Sequence, residues 1–248
     1  PSGACATGAV ANITGVVGLI HSAAADAGVA LHAGEVRQLL NHTADDISLT
    51  ADEVALSKAY PSHPGWDAFF GYGRVNAAHA VEAVAAGEIP PWTSMDSPAW
   101  FQTLDPADSP TVDIIGTLSA ERSDSYTYDV EYGLGHDPLA WIPVDSGSGS
   151  GRTDGVLATV DISEIPWTPT SAPDVHEGVL ERVDRVFESA VTVRVNITDA
   201  EGLVGSERRT FFVDADPDRL PGFPFDMEAS GESSPVLSDL DGDGVYEI

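Results

Sequence analysis

Val191-Thr-Val193-Arg-Val195-Asn-Ile197 places branched apolar residues on alternate positions, with polar side chains between them. Side chains alternate across a strand, so this stretch offers one face to a core and one to water. Branched residues also suit a pleated surface. Tyr126, Tyr128, Val130 and Tyr132 repeat the pattern with aromatic rings. Working outward, segments at 111–118, 155–162 and 208–213 have the same character, and turn-rich stretches separate them. The plainest of these, Asp145-Ser-Gly-Ser-Gly-Ser-Gly151, reads as a flexible connection.

About five to seven short strands with no helix between them predict an all-β sandwich, immunoglobulin- or fibronectin-like, over 93–215. Upstream the period changes. Ile13, Val16, Val17 and Ile20 recur at helical spacing among small residues, which predicts a helix over 9–25, packed closely on all sides. Residues 33–43 predict a second, amphipathic helix. Val36, Leu39, Leu40 and Thr43 face inward there, Glu35, Arg37 and Gln38 face out, and His32 fits a cap or loop position before it. Residues 44–66 read as loop. A third helix is expected over 74–86, with Gly87 as its C-cap and Pro90-Pro91 barring continuation. Pro217 and Pro221 mark a linker, after which 222–248 open a further unit.

Forty Asp and Glu stand against 11 Lys and Arg in 248 residues, for a formal net charge of −29. So few cations cannot line a phosphate backbone, which excludes nucleic acid and argues against an anionic membrane surface. The charge fits a secreted or salt-adapted protein kept in solution by its surface. The single cysteine, Cys5, rules out a disulfide within the chain and reads as a small buried residue. No uninterrupted run of about 18 apolar residues occurs, so no membrane span is expected. The histidines are scattered without metal-ligand spacing, and His79 falls on the outer face of the third helix. Asn12-Ile-Thr14 matches a glycosylation sequon, but Asn12 is expected in a buried helix where no glycan fits.

Near the C-terminus, Asp239, Asp241 and Asp243 alternate, Gly244 permits a sharp turn, and Glu247 follows. Hard oxygen ligands at this spacing, with the Val245 carbonyl, suit Ca²⁺. Carboxylates this close repel one another unless a cation lies among them. Ser233-Ser-Pro235-Val-Leu237 before the turn and Val245-Tyr-Glu-Ile248 after it are strand-like, which argues against an EF-hand. The stretch from Gly222-Phe-Pro-Phe225 through the acidic turn resembles an FG-GAP repeat of integrin-type β-propellers. That resemblance implies Ca²⁺ between two strands of a blade, with further blades in a longer parent.

The front of the chain carries another resemblance. Cys5-Ala-Thr7-Gly8-Ala-Val-Ala11-Asn-Ile-Thr-Gly15-Val-Val-Gly18-Leu-Ile20 is similar to the nucleophile segment of subtilisin-like serine peptidases. Glu35-Val-Arg-Gln-Leu-Leu40 with Thr43-Ala-Asp-Asp-Ile47 resembles the next helix of that family. Phe70-Gly-Tyr-Gly-Arg-Val-Asn76-Ala-Ala-His-Ala-Val81 resembles the closing one. The resemblance covers about residues 2–88. It implies Thr7 at the nucleophile position, where the family has serine, and Ala11 where the family has proline. A hydroxyl at a helix N-terminus is favoured by free N–H groups and the helix dipole. Threonine keeps that hydroxyl but adds a methyl that restricts its rotamer.

The catalytic Asp and His of the family precede this segment. The chain, which opens inside a motif at Pro1-Ser-Gly-Ala-Cys5, is therefore expected to be a piece of a longer protein. The expected architecture is multidomain: an incomplete α/β subtilisin-like segment at 1–88, the β-sandwich at 93–215, and the start of a propeller blade at 222–248. The resemblance implies a secreted or cell-surface endopeptidase that hydrolyses polypeptides through an acyl-enzyme. The other open reading is a catalytically inactive adhesion protein, with the peptidase fold as scaffold and the β domains holding a surface or matrix ligand. In either case helices made to cover an absent parallel sheet are expected to expose that face.

Overall fold

Apolar and small side chains carry the chain through helices first, and the period-2 segments follow as sheets. The computed structural model describes residues 6–50, 52, 60, 62–166, 187 and 189–214. The chain divides into two units, Pro1–Ala215 and Asp216–Ile248. The second lies outside the described residues, as does Cys5.

The helices are α1 (Ala6–Asp26), α2 (Ala33–His42) and α3 (Ala77–Ala86). His32 caps α2 in a closed exchange: its Nδ1 accepts from Gly34 N at 3.0 Å, and its own N–H donates to Glu35 Oε2 at 2.8 Å. Asn76 Oδ1 caps α3 by accepting from His79 N at 3.1 Å. This is why α3 starts at Ala77 rather than at 74. Arg74 is held in extended backbone paired with Asp45, at 2.8 and 2.9 Å. Gly87 closes α3 in the left-handed region at φ +78°. His79 is exposed and hydrogen-bonds Asn76. Ile20, Ala24, Val36, Leu39, Ala80 and Val84 form a small helical core.

α1 departs from expectation. It is packed on one side only, through Ile20 and Ala24 with Val16, Val17 and Ala23 around them. Val10 is 62% exposed and Leu19 53%. Asn12 is exposed as well, which overturns its assignment to a buried helix. The stretch Gly8–Asp26 is long and apolar enough to cross a membrane by length and composition, and 11% of it is buried.

The strands are β1 (Trp92–Ser97), β2 (Thr103–Leu104), β3 (Thr111–Ala120), β4 (Tyr126–Leu134), β5 (Ile142–Gly149), β6 (Gly151–Asp161), β7 (Ala190–Asp199) and β8 (Val204–Val213). They form a three-stranded sheet, β1-β3-β6, and a five-stranded sheet, β2-β8-β7-β4-β5. Only β2 and β8 pair in parallel among these neighbours. One core serves both sheets: Ile114, Leu118 and Leu157 from the smaller meet Val130, Val193 and Phe211 from the larger. Val191, Val193, Val195 and Ile197 are all fully buried, on the face their alternation predicts.

The glycine-serine run is strand, not a flexible connection. Tyr126 lies opposite Gly149 and Tyr128 opposite Gly147. A Cβ on Gly147 would come within 2.7 Å of the Tyr128 ring, and one on Gly149 within 2.6 Å of Tyr126 Oη. The tyrosines of β4 cover the bare backbone of β5 and supply the packing that glycine lacks.

α2 is covered on both faces. Its apolar side joins the helical core, and its polar side, expected in solvent, lies on the sandwich. Glu35 is 7% exposed and Gln38 3%. Arg122 grips Glu35 with two hydrogen bonds, of 2.6 and 2.9 Å. The Gln38 amide both donates to Ser206 O and accepts from Ser206 N, at 3.0 Å each, and so completes the edge of β8. Arg37 pairs with Glu207 at 2.6 Å. The His32 ring stacks on Trp92 at 4.3 Å.

Candidate functional site

Thr7 lies in the first turn of α1, where backbone N–H groups are free of intrahelical partners. Asp239, Asp241, Asp243, Val245 and Glu247 lie outside the described residues. Among the described residues no cluster of His, Cys, Asp or Glu has metal-binding geometry. The sequence-derived sites are therefore not brought together by the described part of the chain.

A different site is. The loop over 62–73 leans on the outer face of the five-stranded sheet and leaves a cleft of about 390 Å³. Asp67 builds the loop from within: its Oδ1 accepts from Phe69 N at 2.8 Å and Phe70 N at 2.7 Å, and its backbone pairs with Gly71. Gly73 ends the loop at φ +108°, where a Cβ would stand 2.2 Å from the Asp45 carbonyl oxygen. Only glycine fits there.

Trp66 from this loop covers Arg208 of β8, with the guanidinium 3.6 Å from the ring. Trp141 flanks the same guanidinium at 5.2 Å and Arg194 of β7 at 4.0 Å. Arg194 is paired with Glu131 at 2.6 Å. Asp137 fastens the loop to the sandwich, accepting from His63 Nε2 at 3.1 Å and Ala68 N at 3.1 Å. Burial opposes the charged form of His63, but the Pro64 carbonyl and the Asp137 carboxylate outweigh it and hold the ring above its ordinary value. Burial lowers Arg208 to about 10 and raises the Tyr72 phenol.

Sequence reasoning missed this site. Trp66 and Arg208 are far apart in the chain, and no local spacing joins them. The available signal was the alternation of β7 and β8, which places Arg194 and Arg208 on the outward faces and opposite one another.

No protein-family model matches the chain, and no curated protein matches it either. Among solved structures it is similar to the periplasmic chaperone SfaE, at 14% identity and a TM-score of 0.33, over 52% of this chain and 62% of that one. It is also similar to Spo0M, a sporulation control protein from Bacillus subtilis, at 12% identity and a TM-score of 0.28, over 52% of this chain and 50% of that one. The chain thus spans less than two thirds of the length of either, and likenesses this distant carry no argument about function.

Proposed function

We propose that this chain is the C-terminal part of a secreted or cell-surface subtilisin-like endopeptidase, followed by an immunoglobulin- or fibronectin-like sandwich and the start of a propeller blade. The observation that carries the reading is the fit of residue to backbone in the Gly71–Asn76 block. Gly71 and Gly73 sit at positive φ, Arg74 pairs with Asp45, and Asn76 caps α3. Gly71, Gly73 and Asn76, which carry part of the resemblance there, are residue types that the local geometry favours. The exposed apolar face of α1 adds support, because a helix that covers a parallel sheet needs such a face.

In this reading Thr7 stands at the nucleophile position, with Asp and His contributed by other parts of the parent, and the substrate is a polypeptide. Nucleic acid is not a partner. Ca²⁺ is assigned to Asp239, Asp241, Asp243, the Val245 carbonyl and Glu247 from their spacing. The extra methyl of Thr7 favours the second reading, an inactive scaffold whose β domains hold a surface or matrix ligand.

Fluorophosphonate labelling of the full-length gene product separates the two readings. The peptidase reading expects labelling that Thr7→Ala removes. No labelling, or labelling that Thr7→Ala leaves unchanged, contradicts a catalytic Thr7. For the metal, Ca²⁺ should protect the C-terminal segment from proteolysis in wild type and not in Asp241→Ala. Equal protection would defeat the assignment.

A further inference from the structure

We propose that the cleft between the 62–73 loop and the five-stranded sheet binds a carboxylate ligand with an apolar body, and that Arg208 receives the carboxylate. Charge accounting among the described residues points there. Arg37, Arg74, Arg122, Arg152 and Arg194 each meet a carboxylate. Arg209 donates to the Met95 and Pro98 carbonyls. Arg208 leaves a buried nitrogen, Nη2, with no hydrogen-bond acceptor; Arg209 Nε is likewise unpartnered, but its guanidinium ends on those two carbonyls, whereas Arg208 meets the faces of Trp66 and Trp141.

Across the sheet, Glu131, Arg194 and Arg208 form one row of register partners. Glu131 neutralises Arg194, so the row keeps one uncompensated cation, and like charges opposite one another are unfavourable. Asp137 favours the Arg208 charge from nearby, but its oxygens are committed to His63 and Ala68. A partly desolvated guanidinium in a chain of net charge −29 gains most from an anion that can enter. The cleft is open and of ligand size.

Its walls select the class. Pro138, Leu139 and the two tryptophans are apolar, and Leu139 is 78% exposed at the mouth. One guanidinium neutralises the single charge of a carboxylate, whereas a phosphate dianion would keep a net charge against these apolar walls. The inference does not depend on the peptidase reading.

Tryptophan fluorescence of the whole chain, titrated with N-acetyl-leucine and with its neutral amide, tests it. The acid should quench saturably and bind about tenfold or more tightly than the amide. Arg208→Gln should abolish the difference between them. Leu139→Asp, an exposed wall substitution, should weaken the acid by about tenfold while the melting temperature holds. Equal binding of acid and amide, no saturable quenching, or an unaffected Leu139→Asp variant would each overturn the proposal. Inorganic phosphate that competes as well as the acid would overturn the assignment to a carboxylate.

Discussion

α1 and α2 share one small core, yet their composition and burial run in opposite directions. α1 has no charged residue before Asp26 and exposes Val10 and Leu19. α2 carries Glu35, Arg37 and Gln38 in ten residues, and buries two of the three. Burial here follows the partner and not hydrophobicity. The sandwich offers Arg122, Ser206 and Glu207, so the polar face of α2 leaves water with its hydrogen bonds replaced. Nothing among the described residues covers the outer face of α1. The polar face of α2 thus ties the helices to the sandwich.

The largest effect that could break this comparison comes from Glu35→Ala. It removes the buried carboxylate that holds the exposed Arg122 guanidinium, and with it half of the α2 capping box. We expect a loss of about 2–3 kcal/mol in urea unfolding, from the charge-assisted hydrogen bonds and the cap together. A loss within about 0.5 kcal/mol would show that the polar face is merely covered and not bonded.

Next is Gly34→Ala. A glycine replaced in a helix ordinarily gains up to ~1 kcal/mol. Here the new Cβ would stand 2.4 Å from the Trp92 ring, so the sign should reverse, with a cost of about 1–3 kcal/mol. Stabilisation would mean that α2 does not sit on Trp92 as described.

A smaller effect concerns the loop latch. The folded-state value of His63 is raised, so its contribution is complete below the free-histidine value of about 6.5 and is lost as pH rises through the raised value. His63→Gln should melt below wild type under mildly acidic conditions, by less than about 1 kcal/mol, and the gap should close at alkaline pH. A gap that widens with pH would refute the latch. The smallest effect belongs to α1: Val10→Gln should change the stability of this chain by less than about 0.5 kcal/mol.

The legible parts of the fold were those fixed by local period. Val191 to Ile197 announced its buried face, and Gly87 announced its cap, whereas the sequence leaves His32 open between cap and loop. The glycine-serine run did not, because Gly147 and Gly149 read as flexible until Tyr126 and Tyr128 are set across from them. Glu35 and Gln38 read as solvent-facing because helical spacing reports which residues share a face, not whether a second partner covers the other face. Arg208 was illegible for a related reason: its isolation depends on Glu131 choosing Arg194, a matter of register across three strands. Thr7 and the acidic turn at Asp239 remain readings of sequence, since neither side-chain set falls among the described residues.

Amide hydrogen exchange across residues 8–20 tests the account most directly, compared between this chain and the longer parent that the peptidase reading proposes. If α1 was made to cover a peptidase sheet, its amides should exchange readily in this chain and become strongly protected in the longer protein. Equal exchange in both would show that no sheet rests on that face, and the peptidase reading would fail with it.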